Sequence, residues 1–456
     1  MPMLLPLILL LANRKPAFQQ GDYTDDIAVA ASDLPVELAK AKAAGLPLTA
    51  AELAPNPQVK PSENAAPLIR AAAKAYEALP DEANRGRLYN ACAEGDYKAA
   101  ARYIKEASFP LSLADKAAAM PRCDFGVDWD LGREAVGSGY RDIKMLVSML
   151  SYRAEVQASQ GDSNSAVASL RGARRLAEDC EADHSFGSML VRSALESLVC
   201  RGVQRCLAVA KTPLECKAYA SFLSEKRPPF DIEGALKGEA YVGITTIRNL
   251  EQFGGLKVLR DESLDLEVSR PPLDLKKLQR SGMPTDLASK AYMARHLETW
   301  TEFLNLERSG RFGQIGLFKE MAVGWDAAIS NHEASYTLEA IFEKPIFDGQ
   351  SWMAVQGIPL VANRANWAEN AALAKVVLYH LEHGSYPPNL QAAGATELDP
   401  FTGRPLKYVF KGAKATVFSV GEDEFDNQGN HRPGVVQEVQ VASYPPPHRP
   451  PLPLTR

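Results

Sequence analysis

Glu422, Asp423, Glu424, Asp426 and Asn427 put five oxygen-bearing side chains within six positions near the C-terminus. Hard oxygen donors crowded into a short loop are what calcium takes. The order is not the D-x-[DN]-x-[DN]-G of an EF-hand, so two readings stand: a calcium loop, or a solvated acidic turn. Ligand type alone does not separate them.

Other chemistry-bearing residues are scattered. His380 and His383 stand at i and i+3 with Glu382 between them. That spacing offers two metal ligands, but it equally suits the polar end of a helix. His332-Glu333 is an isolated pair and reads as surface. Gly137-Ser138-Gly139 lacks the outer spacing of a G-x-S-x-G elbow. H-E-x-x-H, G-x-G-x-x-G and G-x-x-x-x-G-K-[ST] do not occur, so no catalytic residue and no cofactor-binding residue is assigned. Cys92, Cys123, Cys180, Cys200, Cys206 and Cys216 contain no C-x-x-C. They read as buried small hydrophobes, with one or two disulfides the alternative in an exported chain.

The elements that position the acidic loop are legible. From Ala362 to His383 the residues Trp367, Ala371, Ala374, Leu378 and Leu381 line one helical face. Gly384 stands where a left-handed C-cap is wanted, and Tyr386-Pro387-Pro388 ends the helix. Asp399-Pro400-Phe401-Thr402-Gly403 has turn chemistry. Leu406 to Phe410 and Ala415 to Val420 read as strands of a hairpin closed by Lys411-Gly412-Ala413-Lys414.

That order of helix, G-x-Y-P-x-x-L, D-P-F-x-G-x-P-L-x-Y, hairpin, F-S-V-G and acidic loop resembles the C-terminal module of type II secretion major pseudopilins. It more closely resembles uncharacterised planctomycete-type bacterial proteins that carry this module behind a long helical region. Gly384, Tyr386, Pro387, Leu390, Asp399, Pro400, Phe401, Gly403, Pro405, Leu406, Tyr408, Ser419, Val420 and Gly421 fall on the pattern. The resemblance implies a small α+β fold and a calcium ion in the acidic loop. Gln428 before Gly429 departs from the usual run of glycines and aspartates.

The chain has 456 residues, enough for two or three units. It balances 51 basic against 56 acidic residues, and no basic patch stands out, so nucleic acid is not an expected partner. Leu4 to Ala12 is almost continuously apolar. It is too short to span a bilayer but fits a signal-peptide core or the remnant of a membrane anchor. An exported or membrane-anchored envelope protein is therefore expected, with membrane association through residues 1–12.

The middle reads as helices. Leu34 to Ala54 is helix-favouring, following a polar linker from Gln19 to Asp33. Ser62 is the expected N-cap of the next helix, and its Glu63-Asn64-Ala65-Ala66-Pro67-Leu68 phrase recurs in the same helical proteins. Helical hairpins are expected about Gly95-Asp96 and Gly161-Asp162, 66 positions apart. That is close to twice a tetratricopeptide period of about 34. Segments from Ser185 to Ala210, Pro213 to Leu223, Ile232 to Asn249, Asp286 to Leu306 and Leu317 to Phe342 follow. Phe253 to Pro272 is a charged excursion, and Pro345 to Pro359 reads as irregular.

The expected fold is mainly α: stacked helical hairpins, tetratricopeptide-like in part, then a small α+β pseudopilin-like module with a β-hairpin. The divisions are an apolar segment 1–18, a linker and short helix 19–61, a helical body 62–360, the module 361–432 and a Pro-rich disordered tail 433–456. The expected function is a non-enzymatic scaffold with a protein partner. A pseudopilus-related component and an enzyme with a pocket among the helices are the alternatives.

Overall fold

The computed structural model describes residues 23–55, 57–79, 83–135, 137, 139–248, 285–310, 338–421 and 442–446. These residues are mainly helical, with a small three-stranded antiparallel sheet near the C-terminus.

The helices are α1 (Tyr23–Ala44), α2 (Ala66–Glu77), α3 (Ala83–Glu94), α4 (Tyr97–Glu106), α5 (Ser108–Ala118) and α6 (Tyr140–Ser159). There follow α7 (Ser163–Glu178), α8 (Phe186–Val209), α9 (Pro213–Leu223), α10 (Ile232–Arg248), α11 (Thr285–Arg308) and α12 (Leu338–His383). The strands are β1 (Lys407–Lys411), β2 (Lys414–Phe418) and β3 (Ala442–Tyr444), in that spatial order.

Two hairpins share one turn. Between α3 and α4, Gly95 is left-handed, Asp96 N–H donates to Ala91 O at 2.8 Å, and the Asp96 carboxylate caps Ala99 N–H. Between α6 and α7, Gly161 is left-handed, Asp162 N–H donates to Gln157 O at 3.0 Å, and Asp162 caps Ser165 N–H. In each, glycine supplies the positive φ and aspartate satisfies an orphan donor of the returning helix. The two Gly-Asp pairs in the sequence therefore mark equivalent local structures.

The apolar stripes meet in one core. Ile69, Leu146, Leu150, Leu170, Val203 and Phe222 from α2 through α9 belong to the same buried cluster as Trp367 and Val376 of α12 and Ala415 and Val417 of β2. α12 lies along α8 and α9, and the sheet rests on α12. A second cluster joins α1 to α10 and α11, burying Ala41 against Ile244, Leu297 and Leu304. Deep burial of these side chains supplies the main stabilisation, at about 1.5–3 kcal/mol for each large aliphatic residue.

Several local expectations change. Helix α1 begins at Tyr23, inside the stretch read as linker, and runs on through Pro35. It stops where Gly45 takes a positive φ and Leu46 N–H returns to Ala41 O. Ser62 does not cap α2; it lies in the 3-10 turn Pro61–Glu63. The N-cap position is Ala65, which has no capping side chain; Asn64 before it accepts from Ala66 N–H at 3.0 Å while its amide clasps both Asp124 N–H and Asp124 O. The segment read as irregular around Pro345 to Pro359 is helical within α12. A proline inside a helix costs about 3 kcal/mol, and packing along α8 and α9 offsets it. Finally, Ala442–Tyr444, placed by sequence in the tail, forms β3 with Ala442 fully buried. Three residues are too few to show strand alternation until β2 offers them an edge.

Residues 1–18, the excursion from Phe253 to Pro272, His332-Glu333 and most of the Pro-rich tail lie outside the described residues.

Candidate functional site

The D-P-F-T-G motif is the organising element of the C-terminal corner. Asp399 N–H donates to Arg404 O at 2.7 Å and Gly403 N–H returns to Asp399 O at 2.7 Å, closing the turn. The buried Asp399 carboxylate then collects three further donors: Phe401 N–H at 2.9 Å, the Ser419 hydroxyl at 2.8 Å and Val420 N–H at 3.0 Å. One side chain thus ties the turn to the end of β2. The same Ser419 hydroxyl receives Gly421 N–H at 3.0 Å. The S-V-G triplet is needed because this corner folds back on Asp399.

Glu369, fully buried on α12, faces this corner. Its Oε1 accepts Ser419 N–H at 2.8 Å, while Oε2 has no hydrogen-bond partner among the described residues. Burial, and then the neighbouring Asp399, push its carboxyl well above the usual carboxylate range. A neutral carboxyl is the form such a site favours.

Beside Asp399 opens a cleft of about 390 Å³, lined by Asp399, Thr402, Arg404, Pro405, Leu406, Lys407 and Val420. Two cationic side chains stand at its wall. Glu422, Asp423, Glu424, Asp426 and Asn427 begin immediately beyond the corner, after Gly421, and lie outside the described residues. The structure thus positions the root of the acidic loop.

The histidines at the end of α12 are engaged with aromatic rings. His380 stacks on Tyr386 at 4.2 Å with nearly parallel planes, and His383 stacks on Tyr379 at 4.0 Å. His383 Nδ1 also meets Tyr379 O at 2.9 Å. Gly384 has φ 71°, as its C-cap position requires. Among the described residues no group of three or more metal-capable side chains converges.

A second constellation lies where α8 meets α12, and no sequence signal pointed to it. Glu196, fully buried, receives Arg192 Nε at 2.8 Å on one oxygen. Its other oxygen receives Arg227 Nη1 at 2.8 Å and Trp367 Nε1 at 3.0 Å. Arg192, also buried, donates to Glu181 Oε2 at 2.5 Å and to the carbonyls of Pro228 and Pro229. The two guanidinium groups stand over the rings of Phe230 and Trp367 respectively. Burial raises the Glu181 carboxyl to about 7, against the opposing pull of Arg192. The prolines of Lys226-Arg227-Pro228-Pro229 lack N–H groups, so their carbonyls are presented as acceptors without competing donors.

The seam continues along the two helices. Asn363 donates to Ser193 O, Asn366 to Ser197 Oγ, and Gln204 to Asn370 Oδ1. Serine, asparagine and glutamine recur at helical spacing on facing sides, so α8 and α12 meet through a polar line inside an apolar core. Each buried amide has a partner, as burial demands.

A third corner surrounds His184. This residue has φ 46°, rare for a side chain bearing a Cβ. Asp183 accepts from Tyr140 OH, Gly137 N–H and Ser185 Oγ. His184 Nδ1 lies 3.3 Å from Asp231 Oδ2 and holds that carboxylate below its usual range. Gly238 permits this packing: a Cβ there would stand 1.8 Å from His184 O. Gly139 of the Gly-Ser-Gly stretch is left-handed and yields its side-chain space to the Phe125 ring. It serves as a helix entry for α6.

All six cysteines are free thiols; Cys123 is half-buried and the others are buried. Burial pushes Cys180, Cys200 and Cys206 upward and Cys216 to about 12, the opposite of nucleophile activation.

Compared with known proteins, the chain matches no family model, no curated protein and no solved structure.

Proposed function

We propose that this chain is a non-enzymatic scaffold of the cell envelope that binds a protein partner through its helical body. The observation that carries this reading is the pair of hairpins, α3–α4 and α6–α7, closed by the same Gly-Asp turn. Hairpins stacked in this way bury a shared stripe and leave an extended helical surface for recognition. The buried Glu196 constellation supports it, since its charges are spent on joining α8 to α12. The terminal sheet then acts as a cap on α12. The test is envelope fractionation followed by crosslinking and pull-down with the full chain. A single partner retained through stringent washing, in the envelope fraction, is the expected result. Turnover of a small molecule by the purified chain, with no partner retained, sinks the reading.

The second reading is a pseudopilin-like module carrying calcium. The Asp399 corner favours it, because it fixes Val420 and Gly421 at the root of the acidic loop. Glu422, Asp423, Glu424, Asp426 and Asn427 would be the ligands, through hard oxygens. Thermal melts with calcium and with chelator test it. An unchanged midpoint removes calcium from the account, and with it the main support for this module.

A further inference from the structure

The hairpin end of the molecule concentrates charge that the rest of the chain balances. Arg404, Lys407, Lys411 and Lys414 lie between Phe401 and Phe418, a stretch with no acidic residue, in a chain of net charge -5. All four are exposed. Arg404, Lys411 and Lys414 form no ion pair among the described residues.

Register makes this patch costly. Lys411 and Lys414 are direct cross-strand partners at the closing pair of the hairpin. Like charges set opposite one another in a sheet are destabilising. The pairing also places Lys407, Lys411 and Lys414 on the same face of the sheet, opposite the face that buries Ala415 and Val417.

Apolar surface is exposed at both ends of the same strand. Leu398 and Phe410 are 55% and 45% exposed, although both are large hydrophobic side chains. Leu398 is bridged to Pro405, next to Arg404, and Phe410 precedes Lys411 and leans on the Tyr386 ring at 4.5 Å. Basic side chains interleaved with exposed apolar and aromatic ones suit the boundary of an anionic bilayer. The ammonium groups meet lipid phosphates while the rings enter the headgroup layer.

We propose that the β1–β2 hairpin edge is a docking surface for an anionic phospholipid membrane. Lys411 and Lys414 reach headgroup phosphates from one face of the hairpin tip, Phe410 enters the interface from the opposite face of the same strand end, and Leu398 enters beside Arg404 at the other end of β1. This contact is separate from the apolar stretch Leu4 to Ala12, which would favour neutral and anionic bilayers alike.

The test is co-sedimentation of the full chain with two kinds of vesicle. One is phosphatidylcholine alone; in the other, phosphatidylglycerol replaces about a third of the lipid. Binding at least tenfold stronger to the anionic vesicles, and lost as salt rises to about 0.5 M, is expected. Lys411→Glu with Lys414→Glu should weaken that binding by at least twentyfold, since each lysine near such a surface is worth about fivefold. Phe410→Ser should weaken it with charge intact, and the milder pair Lys411→Gln and Lys414→Gln serves if charge reversal disturbs folding. Circular dichroism checks the fold of each variant. Equal binding to both vesicles, or binding indifferent to these substitutions, overturns the proposal. Capture by heparin without binding to anionic vesicles also overturns it, in favour of a soluble polyanion.

Discussion

Glu369 and Asp399, thirty positions apart, hold opposite ends of one serine. Ser419 gives its N–H to Glu369 Oε1 and its hydroxyl to Asp399 Oδ1, each at 2.8 Å. Two acids are thereby brought together, and only one is generously hydrogen-bonded. Asp399 receives three donors and Glu369 one.

A pH dependence follows from that imbalance. A free glutamate loses its proton near 4.5, whereas Glu369 in the fold keeps it to higher pH. The folded state therefore binds more protons above 4.5, and its stability falls as pH rises toward the folded pKa. Glu369→Gln keeps an acceptor for Ser419 and removes the titration. Urea unfolding at pH 5 and pH 8 should show the variant gaining on the wild type at the higher pH. Parallel behaviour at both values would mean that Glu369 is not held neutral.

The Glu196 constellation should respond sharply to loss of its centre. Glu196→Ala leaves Arg192 buried with one carboxylate and strips Trp367 of its acceptor. Removing one partner of a buried ion pair costs about 3–5 kcal/mol. Denaturant unfolding measures it, and a loss under about 1 kcal/mol would show that the arginines find other partners.

Gly243 and His296 form a size-matched pair. A Cβ at Gly243 would stand 2.1 Å from the imidazole, whose Nε2 meets Ala240 O at 2.8 Å. Burial lowers the His296 pKa to about 4, so the ring is neutral across the physiological range. Gly243→Ala should destabilise by about 1–3 kcal/mol, as overpacking does. In a double-mutant cycle with His296→Ala, the second change should rescue the first, with a coupling of about 1 kcal/mol or more. Additive effects would place the strain elsewhere.

The two hairpin turns should behave alike. Asp96→Ala and Asp162→Ala each remove a helix N-cap, worth about 1 kcal/mol. Ser165 holds the Asp162 carboxyl below its usual range. The Asp162 contribution is therefore present above the unfolded pKa of about 3.8 and fades as pH falls through the folded value. Unfolding curves at pH 7 and pH 3 check both points. An Asp162→Ala deficit of equal size at both pH values would argue against a cap made by the carboxylate.

What the amino-acid sequence determined by itself was local. Helix α7 follows from its capping aspartate and its apolar rhythm, Gly384 from the need for a left-handed residue, and the hairpin from alternation around Gly412. The Asp399-to-Gly403 turn was visible for the same reason: its donors and acceptors lie within a few residues. The tertiary structure decided everything that joins distant segments. Trp367 meets Glu196 across 171 positions, and Gln204 meets Asn370 across 166. β3 exists because β2 offers it an edge, and the lysines share a face because register puts them there. Periodicity and capping act through bonds to near neighbours, so they are written in adjacent residues. Burial, charge pairing and strand partnership depend on which surfaces meet, and no adjacent residue records that.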